Sequence, residues 1–392
     1  MINLNNRQQP TMMPWTLPVR FALDKDHSTA PTFEYRGENR QGIVMSSVSI
    51  SKLTEQWRIA PLNIGVHVAT KSVPAVDESG IYVGSDSGWF FKFDEQGQKQ
   101  WSYFASTSNK GFHATAALDQ KFVYVAAYNG ILYCLRKNDG ALVWTHQVAD
   151  YIGSSVLLRD NFIYVGAETE SNGFVAKLDA STGELMWRTA FTGAPVHSSP
   201  MVDDRSGTVI VGNISGRIQG FDIKTGKEKW EFAAQGAVKT TPSFSSNIAY
   251  IGSHDGNVYA LEAASGKLFW KMKFADKVFT SISIDDGLNL GIVTVDKKII
   301  AFDLKNGETK WFQSGGEGMN VSSSLIVKTP KGDLVLAACK ESSLCAYDIK
   351  KGKELFSVPM KGVLSSMPSI FNDFLYVSLD EQSGLVKYKI IP

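Results

Sequence analysis

Two lysines and two histidines stand at one recurring place in this chain. Lys71, His113, His197 and Lys239 fill the variable position of a V-x-S-S-P-like phrase, clearest in "APVHSSP" and "GAVKTTP". Read in order, the x residues are Lys71, His113, Gly153, His197, Lys239, Phe279, Val321 and Leu364. Ammonium and imidazole groups gathered at one spot would hold an anion by plain electrostatics. The apolar arc from Phe279 to Leu364 would favour an anion with an apolar portion, or an acidic, hydrophobic peptide. These four residues are the candidate binding set, and they meet only if elements far apart in sequence are brought together.

Other chemical candidates are thin. His254 and Asp255 in "SHDG" read as tight-turn residues, as do Asp86, Asn129 and Asp380, and not as metal ligands. The glycine-rich "SGGEG" at 314–318 joins two strands where a phosphate cradle would open a helix. None of the metalloprotease, phosphate-loop or nucleophile-elbow motifs occurs, so no catalytic residue is assigned. The three cysteines, Cys134, Cys339 and Cys345, are odd in number and lack a C-x-x-C pair. That pattern is read against both a disulfide framework and a zinc site, leaving buried thiols.

What positions the x residues is a repeat. "DASTGELMW", "DIKTGKEKW", "EAASGKLFW" and "DLKNGETKW" are one phrase, and its aromatic recurs at Trp57, Trp101, Trp144, Trp187, Trp230, Trp270, Trp311 and, degenerately, Phe356. The spacing is 40 to 45 residues. Each unit holds four short runs of alternating or β-branched and aromatic residues, separated by Asp, Asn and Gly. Four strands per 40-odd residues predict an all-β, eight-bladed β-propeller. The Asp and Gly build the turn, and the Trp wedges against the neighbouring blade. After Phe356 only three strands remain, whereas "KLTEQW" near the start is a fourth strand without its three. An N-terminal strand is therefore expected to complete the last blade and close the ring. Residues 1–50 are read as an arm and clasp, and 51–392 as the propeller.

Bulk properties narrow the function. The 40 basic and 39 acidic residues leave a net charge of +1, unsuited to a nucleic-acid partner. No apolar run is long enough to span a membrane. The opening "MINLNNRQQPTMMPW" has neither a basic nor a continuous apolar region. As it stands the chain reads as cytoplasmic, and as periplasmic if a leader has been removed. A monomer with a protein or peptide partner, or a small anionic ligand, is expected.

The repeated phrase resembles the AxDxxTGxxxW tryptophan-docking motif of pyrroloquinoline-quinone-like (PQQ-like) propellers. Ala301, Asp303, Gly307 and Trp311 match it, as do Asp179, Thr182, Gly183 and Trp187, and Asp222, Thr225, Gly226 and Trp230. Ala260, Gly266 and Trp270 match with Glu262 at the Asp place, the first unit is one residue short between Asp94 and Gly97, and the second has Arg136 for Asp. The resemblance covers residues 53–392, and "FEYRGENRQG", Phe33 to Gly42, is similar to a clasp segment that precedes such propellers in bacterial proteins. The family includes quinoprotein dehydrogenases, assembly scaffolds of the BamB type and non-catalytic interaction domains. A dehydrogenase implies a vicinal disulfide beside the quinone and a calcium ion; this chain has no adjacent cysteines, so neither cofactor is expected. A BamB-type lipoprotein implies a lipidated cysteine near its start, where this chain has none before Cys134. The expectation is a non-catalytic binding module, with BamB-like envelope-assembly scaffolding as the alternative and a quinone-dependent dehydrogenase behind it.

Overall fold

Short β-rich runs punctuated by tight turns fold into eight antiparallel sheets in the computed structural model. The structure describes residues 43–62, 72–105, 111–275, 277–295, 297–314, 322–364, 366–379 and 384–392. In blade 1 the strands are Ala75–Asp77, Gly80–Gly84, Trp89–Phe93 and Lys99–Phe104, innermost to outermost. Blades 2 to 7 repeat this order, and a 3-10 turn at Lys340–Ser342 is the one helical element among the described residues. Blade 8 joins the chain's two ends: Lys52–Ile59 pairs antiparallel with Leu385–Ile391, from Lys52 opposite Ile391 to Ile59 opposite Leu385. The result is an eight-bladed propeller.

The hydrophobic core lies between blades. Eight apolar clusters each draw on two neighbouring sheets, one per seam. Seven seams are locked by an indole from the outermost strand. Trp57, Trp101, Trp144, Trp187, Trp230, Trp270 and Trp311 each donate Nε1–H to a backbone carbonyl of the next blade at 2.8–3.1 Å, on Glu95, Lys137, Ala180, Ile223, Ala263, Leu304 and Ile349 respectively. The glycine of the next blade's turn lies under the ring: a Cβ on Gly266 would come within 2.5 Å of Trp230. Gly266 also has φ +70°, so it serves both the turn and the close approach. In three blades the residue paired with the tryptophan is a lysine, and Lys92, Lys177 and Lys387 donate to the same carbonyls as their neighbouring indoles.

Phe356 has no indole N–H to offer, and its seam, between blades 7 and 8, is filled from elsewhere. Ile43–Met45 adds a fifth, parallel strand to blade 7, and the chain then crosses to blade 8. Val44, Val48, Ile50 and Leu53 join Phe356, Met360 and Leu364 in that seam's cluster.

The cysteines need correction. The central strands of blade 7, Leu334–Cys339 and Ser343–Asp348, are joined by so short a turn that Cys339 and Cys345 lie 5.8 Å apart at Cα, and they form a disulfide. A bridge across one hairpin carries no C-x-x-C signature, so reading linear spacing missed it. Cys134 remains a buried free thiol, paired with Trp144, and burial pushes its pKa well up.

Candidate functional site

The V-x-S-S-P-like phrase opens each innermost strand, and three of its positions are consumed by the fold. The apolar residue is fully buried between blades, as at Ile152, Val196, Val238 and Val278. The first hydroxyl bonds its own second strand: Ser154 Oγ to Gly166 O at 3.0 Å, Ser198 Oγ to Gly212 O at 3.0 Å, Thr240 Oγ1 to Gly252 O at 2.8 Å. The second accepts a backbone N–H from the preceding blade, Thr115 to Ser155, Ser155 to Ser199 and Thr241 to Ser281. Only the x side chain is left over. Because strands alternate in direction, the x residues and the turns between second and third strands share one end of the ring, the channel mouth.

The structure gathers His113, Gly153 and His197 around Tyr128 and Glu168, and places Phe279 and Lys239 beside His254, while Lys71 and Val321 lie outside the described residues. Leu364 is a correction. Ser366 Oγ bonds Ser378 O, the contact made by the first hydroxyl in other blades, so Leu364 holds the buried apolar place and the x place falls on residue 365. Lys239 is exposed and Phe279 is 52% exposed, its ring 4.5 Å from that of His254. Burial first, then Lys239 and Lys277, lower the pKa of His254. This side of the mouth is basic and apolar.

The opposite side is acidic and aromatic, with residues that reading the strands alone missed. His113 Nε2 sits 3.2 Å from Asp86 Oδ1, and His197 Nδ1 lies 3.0 Å from Glu168 Oε1. Asp86 is 1% and Glu168 4% exposed. The ring of Tyr128 lies 4.9 Å from His113 and 5.1 Å from Tyr151, forming an aromatic strip across blades 2 and 3. Burial, then Glu168 and Tyr151, raise the pKa of Tyr128. Paired backbone hydrogen bonds between Tyr151 and Glu168, at 2.9 and 3.1 Å, fix the strip to the carboxylate. Gly153 is the x residue where a side chain would intrude: its Cβ would fall 2.8 Å from Glu168 Oε1 and 3.2 Å from His197 Nδ1. A signal existed, because Asp86, Tyr128 and His254 share the second place of the "SDSG", "AYNG" and "SHDG" turns, and aligning the turns as well as the strands would have gathered them. Asp255 itself is a turn-former, accepting from Tyr259 Oη at 2.5 Å and from the backbone N–H of Asn257 at 2.9 Å.

A second concavity of about 360 Å³ opens between blades 8 and 1, at the turn end, lined by Asp77, Glu78, Asp94 and Glu95 with Phe374 and Tyr376. Three of its four carboxylates are engaged: Asp77 with Lys137 and Ser79, Asp94 with its own turn and Gln100, and Glu95 with Lys387. They read as seam fastenings. Among the described residues no group of three His, Cys, Asp or Glu could hold a metal ion, and the disulfide joins residues six apart, not neighbours. Neither adjacent bridged cysteines nor a carboxylate cluster of the kind a quinone–calcium centre would use is found among the described residues. No helix among the described residues is long and apolar enough to cross a membrane.

The chain is similar to outer membrane protein assembly factor BamB of Moranella endobia, 28% identical over 221 residues, which span 53% of this chain and 55% of that protein, little more than half its length. Among solved structures, BamB from Moraxella catarrhalis superposes with a TM-score of 0.68 at 17% identity, covering 86% of this chain and all of that one. Quinohemoprotein alcohol dehydrogenase from Comamonas testosteroni superposes with a TM-score of 0.71 at 15% identity, covering 92% and 80%, a likeness of fold alone. The family model described as outer membrane protein assembly factor BamB matches residues 91–241 and 232–363, more than half of the chain, and the chain belongs to that family of PQQ-like propellers.

Proposed function

We propose that this chain is a non-catalytic docking scaffold for the assembly of outer-membrane proteins and that its working surface is the channel mouth. The observation that carries the reading is the division of labour in the innermost strands. Their apolar and hydroxyl positions lock the ring, which leaves the x side chains, exposed at Lys239 and Phe279, free to vary. Lys71, His113, His197 and Lys239 are the proposed partner-binding set, with Lys239 and the exposed Phe279 offering charge and apolar surface to an acidic, hydrophobic segment. The Cys339–Cys345 disulfide supports an oxidising compartment, the periplasm in preference to the cytoplasm. No cofactor enters this reading.

The test is a photo-crosslinking residue installed at position 239 in cells, with a second on the outer strand at position 271 as control. An outer-membrane assembly component crosslinked from 239 and lost in Lys239→Glu/Phe279→Ser, measured with the crosslinker at a neighbouring mouth position, is the expected result. Equal products from 239 and 271, or none from either, refute the mouth as the docking surface.

A further inference from the structure

The scaffold reading leaves the acidic, aromatic side of the mouth unexplained. Glu168 is more than nine-tenths buried, and its ionic contact is the imidazole of His197, with no lysine or arginine bridging to it among the described residues. A buried carboxylate set against an imidazole, with no lysine or arginine bridge among the described residues, carries a desolvation cost that a full cation would offset. Beside it, Tyr128 and Tyr151 present rings 5.1 Å apart. Aromatic faces set against a carboxylate form the environment that attracts a guanidinium or ammonium group, and the planar guanidinium stacks best. Gly153 completes the arrangement, because any side chain there would displace the carboxylate from its place against His197.

We propose that Glu168, His197, Tyr128, Tyr151 and Gly153 form a receptor for a basic side chain, an arginine in the first instance, of a segment docking at the channel mouth. Glu168 accepts the guanidinium hydrogens, the guanidinium plane stacks on the outer face of the packed Tyr128–Tyr151 pair, and His197 holds the carboxylate in position. The inference rests on the mouth being a docking surface, and it makes that surface two-sided. Lys239 and Phe279 meet acidic and apolar groups, and Glu168 meets a basic one across the opening. Such a pairing fixes the direction in which an extended segment lies, since the reversed segment brings like charges together.

The experiment uses the full chain and a probe that needs no knowledge of the partner. Calorimetric titration compares acetyl-Gly-Arg-Gly-amide with the same peptide carrying citrulline, which is neutral and nearly isosteric. The arginine peptide is expected to bind about tenfold or more tightly than the citrulline peptide, the range of a desolvated cation contact. Glu168→Gln abolishes that preference, and Gly153→Ala weakens it through displacement of the carboxylate, with thermal melting of both variants confirming a folded ring. Equal binding of the two peptides, no binding of either, or an unchanged preference in Glu168→Gln overturns the proposal. The crosslinking result at position 239 is independent, so a failed receptor and a failed docking surface give different outcomes.

Discussion

Trp230 and Gly266 allow the docking joint to be tested quantitatively. Trp230 is 7% exposed, donates to Ala263 O at 2.9 Å and covers Gly266, whose added Cβ would lie 2.5 Å from the indole. Trp230→Ala removes a buried ring, a change that costs about 3–5 kcal/mol, and leaves the Ala263 carbonyl without its donor. Gly266→Ala places a side chain at φ +70°, a strain of about 1–2 kcal/mol, and adds the clash with the ring. The two effects are coupled. With the indole gone, the clash goes too, so Gly266→Ala should cost less in the Trp230→Ala background than alone. The difference should be on the order of 1 kcal/mol or more. Urea unfolding followed by circular dichroism supplies all four corners of the cycle. Phe269→Ala, next to the joint but with its ring 56% exposed, should stay within about 0.5 kcal/mol and serves as control. A cost below about 1 kcal/mol for Trp230→Ala, or the same cost for Gly266→Ala in both backgrounds, refutes the wedge account.

Two further predictions follow from buried groups. Reduction, or Cys339→Ser/Cys345→Ser, should lower stability by about 2 kcal/mol, the chain-entropy value for so short a loop, and reductant should then have no further effect on the double variant; an unfolding midpoint insensitive to reductant in the wild type counts against the bridge. Stability should also fall at alkaline pH. Burial raises Tyr347 to about 12, with Glu354 adding to it, and raises Tyr388 to about 12, with Glu55 adding, against an ordinary value of 10. Above pH 10 the unfolded chain sheds those protons first, so each tyrosine withdraws on the order of 2 kcal/mol by pH 12. Lys92, Lys177 and Lys387, lowered by burial, act in the opposite sense and gain up to their ordinary 10.5, so the net decline sets in once tyrosines ionise. Tyrosinate absorbance that titrates in the folded protein at the ordinary value would refute this.

The blade count and the joints were legible because each blade meets the same mechanical demand. An indole, a turn Asp and a glycine recur wherever two sheets must lock, and repetition makes them visible without structure. The hydroxyl pair of the V-x-S-S-P-like phrase recurs for the same reason, though its targets, Gly166 O or the N–H of the preceding blade, appear only in three dimensions. Where repetition faltered, reading faltered. The hydroxyl contact that sets the register of blade 8, Ser366 Oγ to Ser378 O, is visible only in the folded ring, so Leu364 was placed one position off, and the Cys339–Cys345 bridge belongs to one hairpin in one blade. The fifth strand at Ile43–Met45 has no counterpart in other blades, and nothing periodic announced it.

The same logic underlies the proposed docking surface. A ring of equivalent blades needs identical residues at its seams, but a ligand at the axis meets each blade at a different angle and needs a different group from each. Repeating positions therefore serve the fold, and positions that break the repeat are free to serve recognition. The x series runs His, Gly, His, Lys, Phe from blade 2 to blade 6, and the matching turn places hold Asp86, Tyr128, Ile214 and His254 in blades 1, 2, 4 and 5. Blade 3 breaks the pattern twice, with a longer turn that brings in Glu168 and with glycine at x. Those two departures fit each other, since the glycine leaves the space the carboxylate occupies. The match is mechanical: Glu168 ends its strand buried, and only a glycine at position 153 leaves its carboxylate room beside His197, which is the geometry the proposed arginine receptor requires.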